Sequence, residues 1–379
     1  MVAAVMAGLG CAGRLASPDG LGAADARGVA IATAPAPSAE ERYCAWYGSP
    51  GDDGVLYFGQ AAFWSAMAAA GGDPEADLRR AGPQLVGRFD LTAERLLPPL
   101  PVGDASSRSG VWDVLAAPDG RIWFTTFFEA AGSVEPGTGR VRRLALGGGL
   151  NELAPGPDET VLATRYGSGT REGGDGEVIA IAPEGDVARR WPLDAAPGFL
   201  VAPKTPAWDP HRHVLWLTTD LLPVAEGADG AGEANAEDRH DAYRIEADGT
   251  VRVRAEPPEL QFVAAGPDGT LYQALAQGSS LQLRVVPPPG GPPPRSLALD
   301  DAFDADVDFV QDIQPAGDGR VAVTRWSGRV DVLHSDGSVR GVRLPRPDPA
   351  GLYYTAVLHG DRLCATYCAD VSVVCADAP

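Results

Sequence analysis

Trp112-Asp113-Val114-Leu115-Ala116-Ala117-Pro118-Asp119-Gly120-Arg121-Ile122-Trp123-Phe124-Thr125-Thr126 reads as two short strands joined by a tight turn. Apolar residues alternate on both sides of Pro-Asp-Gly, the period of two that a strand requires. Gly132-Ser133-Val134 and Arg140-Val141-Arg142-Arg143-Leu144 follow as a second hairpin, turned at Pro136-Gly137-Thr138-Gly139. Related phrases return at 151–165, 205–219, 261–274, 311–325 and 354–367. A unit of four short strands recurring every ~40–55 residues predicts an all-β fold, a β-propeller.

Working outward, seven units are counted, with six or eight as the alternatives. The first begins near Arg42, turns at residues 50–54, and is interrupted by an Ala-rich, helix-compatible insert at 61–80 containing Phe63, Trp64 and Met67. The third spans 150–193, and the fourth carries an acidic, Gly- and Ala-rich insert at 226–241 that includes His240. The fifth contains a Pro-rich stretch at 287–294, expected to be extended and exposed. The seventh has residues for about three strands, and the segment 29–33 is expected to supply its outer edge. Such closure makes residues 27–379 one ring, preceded at 1–26 by a signal-like segment and tether.

The net charge of −20 excludes a nucleic-acid-binding role, which needs a basic face. The apolar run at 2–9 is too short to span a bilayer. Ending at Gly10-Cys11, it resembles the close of a bacterial lipoprotein signal, which implies lipidation at Cys11 and an extracytoplasmic, periplasmic or cell-surface location. Four cysteines then remain, Cys44, Cys364, Cys368 and Cys375, an even number that reads as two disulfides in an exported chain. Ring closure makes the first and last units neighbours. The expected pairs are therefore Cys44–Cys368 across the closure and Cys364–Cys375 within the last unit. A zinc site is the alternative, but the spacing lacks a paired Cys-x₂-Cys element.

The start of each innermost strand faces the central channel. This places Cys44, Asp113, Glu152, Pro206, Phe262, Asp312 and Thr355 at its mouth, preceded by Trp112, Asn151, Thr205, Gln261, Gln311 and Tyr354. Returning strands bring Thr126, Arg165, Asp220 and Arg325 to the same end, and Lys204, the sole lysine, lies beside them. Asp113, Glu152 and Asp312 are candidate ligands for Ca²⁺ or Mg²⁺, whose hard character suits carboxylate oxygen. Alternatively each carboxylate pairs with an arginine or caps a turn. His211, His213, His334 and His359 fall in or beside hairpin turns away from this mouth.

The phrase 113–125, with the Gly-x-Val and Thr138-Gly139-Arg140-Val141 that follow, resembles blades of the streptogramin lyase family, and is similar also to NHL-repeat and gluconolactonase-type propellers. The lyase resemblance implies seven blades with a histidine and Mg²⁺ at the channel face. The turn-bound histidines do not carry that chemistry over. The gluconolactonase resemblance implies a divalent metal held by Glu, Asn and Asp, types offered by Glu152, Asn151 and Asp312. Adjacent Asn151 and Glu152 point to opposite faces of a regular strand, however. The expectation is a monomeric binding protein using its channel mouth for a protein, glycan or small-molecule ligand, touching a membrane only through its anchor. The alternative is a divalent-metal-assisted lactonase, hydrolase or lyase.

Overall fold

The computed structural model of the chain describes residues 26–33, 44–61, 84–103, 110–126, 130–146, 149–166, 176–193, 199–223, 239–253, 259–277, 280–300, 310–347, 351–368 and 372–379. Turn chemistry sets the strand ends. In the phrase that opens the second unit, Asp119 Oδ1 accepts the Arg121 N–H at 3.0 Å and Gly120 takes φ 79°. That left-handed conformation is one glycine adopts without steric cost. The flanking strands, Val111–Ala116 and Ile122–Thr126, then pair antiparallel.

Seven antiparallel sheets result, arranged as the blades of a propeller. In chain order they span 44–101, 111–144, 150–193, 199–253, 260–300, 310–343 and 352–377. The seventh blade is completed by Ala30–Thr33, which pairs with Ser372–Asp377 in the register Ala30↔Cys375 to Thr33↔Ser372. The expected N-to-C closure is thus present. So are both expected disulfides, Cys44–Cys368 between the first and last blades and Cys364–Cys375 between neighbouring strands of the last. Among the described residues, no helix is long and apolar enough to cross a membrane.

Apolar side chains from facing sheets fill the spaces between blades. Tyr57 and Val86 of blade one pack with Val111, Val114 and Phe124 of blade two, and Phe262 and Leu283 of blade five with Ile313 and Val323 of blade six. Each blade therefore buries its faces only against its two neighbours, as repeat architectures do.

Three expectations need correction. The inner strand of blade four starts earlier than expected, as Phe199–Pro203, breaks at 204–206 and resumes as Ala207–Asp209. Pro206 has no N–H for the ladder, which accounts for the break. His240 is not part of an insert loop. Its backbone lies in the strand Arg239–Ile245, opposite Asp220, because the partner strand Val214–Pro223 is long. The Pro-rich stretch at 287–294 is exposed at its centre as expected but is folded into a turn with Gly290 at φ 85°. Cys11, the aromatic insert around Phe63 and Trp64, and residues 226–238 of the acidic insert lie outside the described residues.

Candidate functional site at the channel mouth

A β-bulge recurs at the same level in six blades. Two residues of the inner strand stand opposite one of the next strand: Trp46-Tyr47 against Gly59, Trp112-Asp113 against Thr125, and Asn151-Glu152 against Thr164. Gln261-Phe262 faces Ala274, Gln311-Asp312 faces Thr324, and Tyr354-Thr355 faces Thr366. Blade four has its break at Lys204, Thr205 and Pro206 in the corresponding place. A bulge re-aims side chains that a regular strand would send to opposite faces. Adjacent Asn151 and Glu152 are accordingly both buried at the mouth, at 4% and 5% exposure. The strict alternation expected of them does not hold.

The bulges are also where blade grips blade. Thr125 Oγ1 donates to the Asn151 carbonyl at 2.5 Å, and Thr218 Oγ1 to the Gln261 carbonyl at 3.0 Å. Blade one uses Gly59 at this level, where a Cβ would lie 2.5 Å from the Trp112 carbonyl oxygen. The carboxylates make the same kind of contact. Asp113 accepts the Val114 and Leu153 N–H groups, each at 2.7 Å, so it ties blade two to blade three. Glu152 accepts the Thr205 hydroxyl of blade four. Asp312 accepts Gln314 Nε2 at 2.9 Å and bonds the Thr355 side chain of blade seven. Thr355 Oγ1 in turn accepts the Gly48 N–H of blade one at 3.2 Å.

Burial dominates the electrostatics of this ring, because removal from water disfavours the charged form. It raises Glu152 to about 7, against the lowering effect of the Thr205 hydroxyl and the Lys204 charge. It raises Asp312 to about 6, opposed by its hydrogen bonds to Gln314 and Thr355. Asp113 is pushed well above the usual carboxylate range by burial and then by the Glu152 charge, despite its two backbone N–H donors. The three acids thus sense one another across the channel. Among the described residues, no three Asp, Glu, His or Cys side chains form a group that could hold a metal ion.

Tyr47 is the residue that the sequence analysis missed. Its hydroxyl donates to Gln311 Oε1 at 2.8 Å. The hydroxyl is held well above its usual pKa by burial and then by Glu152, Tyr354, Asp312 and Tyr166, which places it among groups from four other bulges and strands. Its ring lies edge-on to Trp112 at 5.4 Å and to Tyr354 at 5.2 Å, while Trp46 packs 4.5 Å from Trp112. A signal for it existed. Eight residues separate Trp112 from Gly120, Gln261 from Gly269 and Gln311 from Gly319, and the same interval back from Gly54 reaches Trp46. Alignment on the turn glycine, rather than on the start of the strand at Cys44, brings Tyr47 opposite Asp113.

The remaining expected residues divide. Lys204 sits close enough to Glu152 to lower its pKa. Tyr354, Gln311 and Asp312 join the cluster around Tyr47. Gln261 is at the mouth with its Oε1 buried and, among the described residues, without a hydrogen-bond partner, as is Asn151 Oδ1, while Asn151 Nδ2 donates to the Pro203 carbonyl at 2.8 Å. The two arginines ion-pair within their own blades. Arg165 Nη1 meets Glu177 at 2.6 Å, and fully buried Arg325 meets Asp331 at 2.5 Å. His211, His213, His334 and His359 occupy or adjoin turns at the opposite face, as expected.

No protein-family model and no curated protein matches the sequence. Solved structures do. Virginiamycin B lyase from Staphylococcus aureus aligns with a TM-score of 0.58 at 12% identity, over 93% of this chain and 100% of the lyase. A catalytically inactive histidine-to-alanine variant of that lyase, solved with quinupristin, aligns with a TM-score of 0.58 at 11% identity over the same shares. The extracellular domain of a one-component system from B. thetaiotaomicron aligns with a TM-score of 0.51 at 10% identity, over 88% of this chain and 40% of that one. At such identities the likeness concerns fold and not activity. In its fold, the chain is a seven-bladed β-propeller, similar to virginiamycin B lyase.

Proposed function

We propose that this chain is an extracytoplasmic binding protein, lipid-anchored through Cys11, that takes a small amine-bearing ligand at the channel mouth. The observation that carries the reading is two buried amide oxygens at the bulges, Asn151 Oδ1 and Gln261 Oε1, which have no hydrogen-bond partner among the described residues and lie on the two blades that flank Lys204. A buried acceptor left without a donor is costly, and a donor-rich ligand removes that cost. Glu152 and Asp312 supply carboxylates in the same ring, and the net charge of −20 favours approach of a cation. The two disulfides support an oxidising compartment. Calorimetric titration with mono- and polyamines tests the reading. Binding that Gln261→Ala and Glu152→Gln weaken supports it, and silence across the amines removes it.

A second reading, metal-assisted lactone, ester or lyase chemistry with Ca²⁺ or Mg²⁺ held by Asp113, Glu152 and Asp312, is favoured by the mutual repulsion of these carboxylates, which a cation would relieve. They would have to close in around the ion, because as they stand they form no metal-holding group. It requires all three carboxylates to exchange their present donors for the ion. A melting-temperature rise with either cation, abolished by Glu152→Ala, selects this reading over the first.

A further inference from the structure

On the face opposite the mouth, a cavity of about 530 Å³ opens between blades three and four. It falls within the ~300–1,000 Å³ typical of small-molecule sites. Asp158 comes from the inner hairpin of blade three, and Arg189 and Trp191 from its outermost strand, Val187–Leu193. Trp208 and His213 come from the inner hairpin of blade four, and Glu246 from its outer hairpin. We infer that this groove is a saccharide-binding site, separate from the channel mouth.

The backbone marks the place independently of the cavity. In blades one, two, five, six and seven the left-handed position of the inner hairpin is held by glycine: Gly54, Gly120, Gly269, Gly319 and Gly360. Blades three and four, which face each other across the groove, put side-chain-bearing residues there instead. Asp158 and Glu159 take φ 50° and 61°, and His213 takes φ 51°. Non-glycine residues persist in that region where something other than the turn requires their side chains, and ligand clamps are a common reason. Here the side chains of Asp158 and His213 line the groove.

The lining also names the ligand class. Trp208 provides a half-buried indole at the groove, and an aromatic face stacks on the C–H face of a pyranose ring. Arg189 lies over the Trp191 ring at 4.9 Å and reaches the Ala247 carbonyl at 3.4 Å, bridging the two blades. The His213 ring stands edge-on to Trp208 at 6.1 Å. Trp191, 5% exposed and covered by Arg189, forms the floor of the groove. The Asp158 carboxylate accepts hydrogen bonds, as does Glu246 beyond its ion pairs with Arg244 and Arg252, while Arg189 and His213 donate them. A rim of both kinds suits hydroxyls, which donate and accept at once. A single-sign ion would meet repulsion on one side.

The test is saturation-transfer NMR and calorimetry of the full chain with maltose, cellobiose, chitobiose and xylobiose as probes. Binding of at least one is expected, weakened about tenfold or more by Trp208→Ala through lost stacking. Because Trp208 also packs against the blade core, His213→Gly is the second variant. Glycine accepts the left-handed backbone, so this change should hold or raise the melting temperature while weakening the sugar. No binding by any probe overturns the inference, as does binding that survives both variants. Amine titrations at the mouth are read separately, so failure at one face leaves the other result standing.

Discussion

The Tyr47 hydroxyl of blade one donates to Gln311 Oε1 of blade six at 2.8 Å, joining two bulges that are not neighbours in the ring. Blade seven lies between them and is gripped from both sides, by Asp312 on Thr355 and by Thr355 on the Gly48 N–H. The mouth is therefore crossed by a strut as well as clasped at its rim. Tyr47→Phe removes the donor, keeps the ring, and leaves Gln311 Oε1 a buried acceptor. The expected cost is about 1–3 kcal/mol. Chemical denaturation measures it, and an unchanged midpoint would show that the strut carries no stability.

Acid stability offers a sharper check on the channel carboxylates. Burial lifts Glu152 from 4.5 to about 7 and Asp312 from 3.8 to about 6, so both hold protons more tightly folded than unfolded. Their contribution is fully present below the unfolded pKa and is lost as pH rises through the folded one. For Glu152 the window runs from about pH 4.5 to about 7 and is worth roughly 3 kcal/mol. Glu152→Gln, neutral throughout, should flatten the decline in melting temperature across that window. A wild-type stability that rises with pH there, relative to the variant, would show the opposite sign and remove Glu152 from the buried ring.

Much of this architecture was legible in the residues because turns and cysteines are marked by identity. Pro118-Asp119-Gly120 announces a hairpin, and four cysteines at two chain ends announce a closure. The bulges carry no such mark. A bulge is a property of pairing, two residues against one, and neither Trp46-Tyr47 nor Asn151-Glu152 differs in composition from a regular strand. Hence Tyr47 was missed, and Asn151 and Glu152 were assigned to opposite faces. The ion pairs of Arg165 with Glu177 and Arg325 with Asp331 were equally hidden, since register across a neighbouring strand decides them.

The two disulfides should differ in worth. Cys44–Cys368 spans 324 residues and Cys364–Cys375 spans 11. Loop-closure entropy assigns about 3 kcal/mol to a 15-residue loop and about 5 kcal/mol to a 100-residue one, rising slowly thereafter. Replacing Cys44 and Cys368 with serine should therefore lower stability by about 3 kcal/mol more than replacing Cys364 and Cys375. The comparison is made by denaturation of the two double variants. Equal losses would mean that the Ala30–Thr33 strand alone already holds the ring closed in the unfolding transition.

Gly59 tests how closely the blades approach at bulge level. An added Cβ would stand 2.5 Å from the Trp112 carbonyl oxygen and 2.6 Å from that of Val111, both backbone atoms that cannot rotate away. Blade two would have to move as a body, against the apolar packing of Tyr57 and Val86 on Val111 and Phe124. Gly59→Ala should therefore cost about 1–3 kcal/mol, the range of overpacked cores. Gly137→Ala is the control, since a Cβ there meets nothing within 4 Å and the backbone lies outside the left-handed region. That change should be neutral, or stabilising by up to about 1 kcal/mol through the unfolded chain. If the two variants melt together, the blades have room that the Gly59 contact denies. The Thr125 and Thr218 hydroxyls that reach for the next blade would then be aids to register rather than measures of a fixed gap.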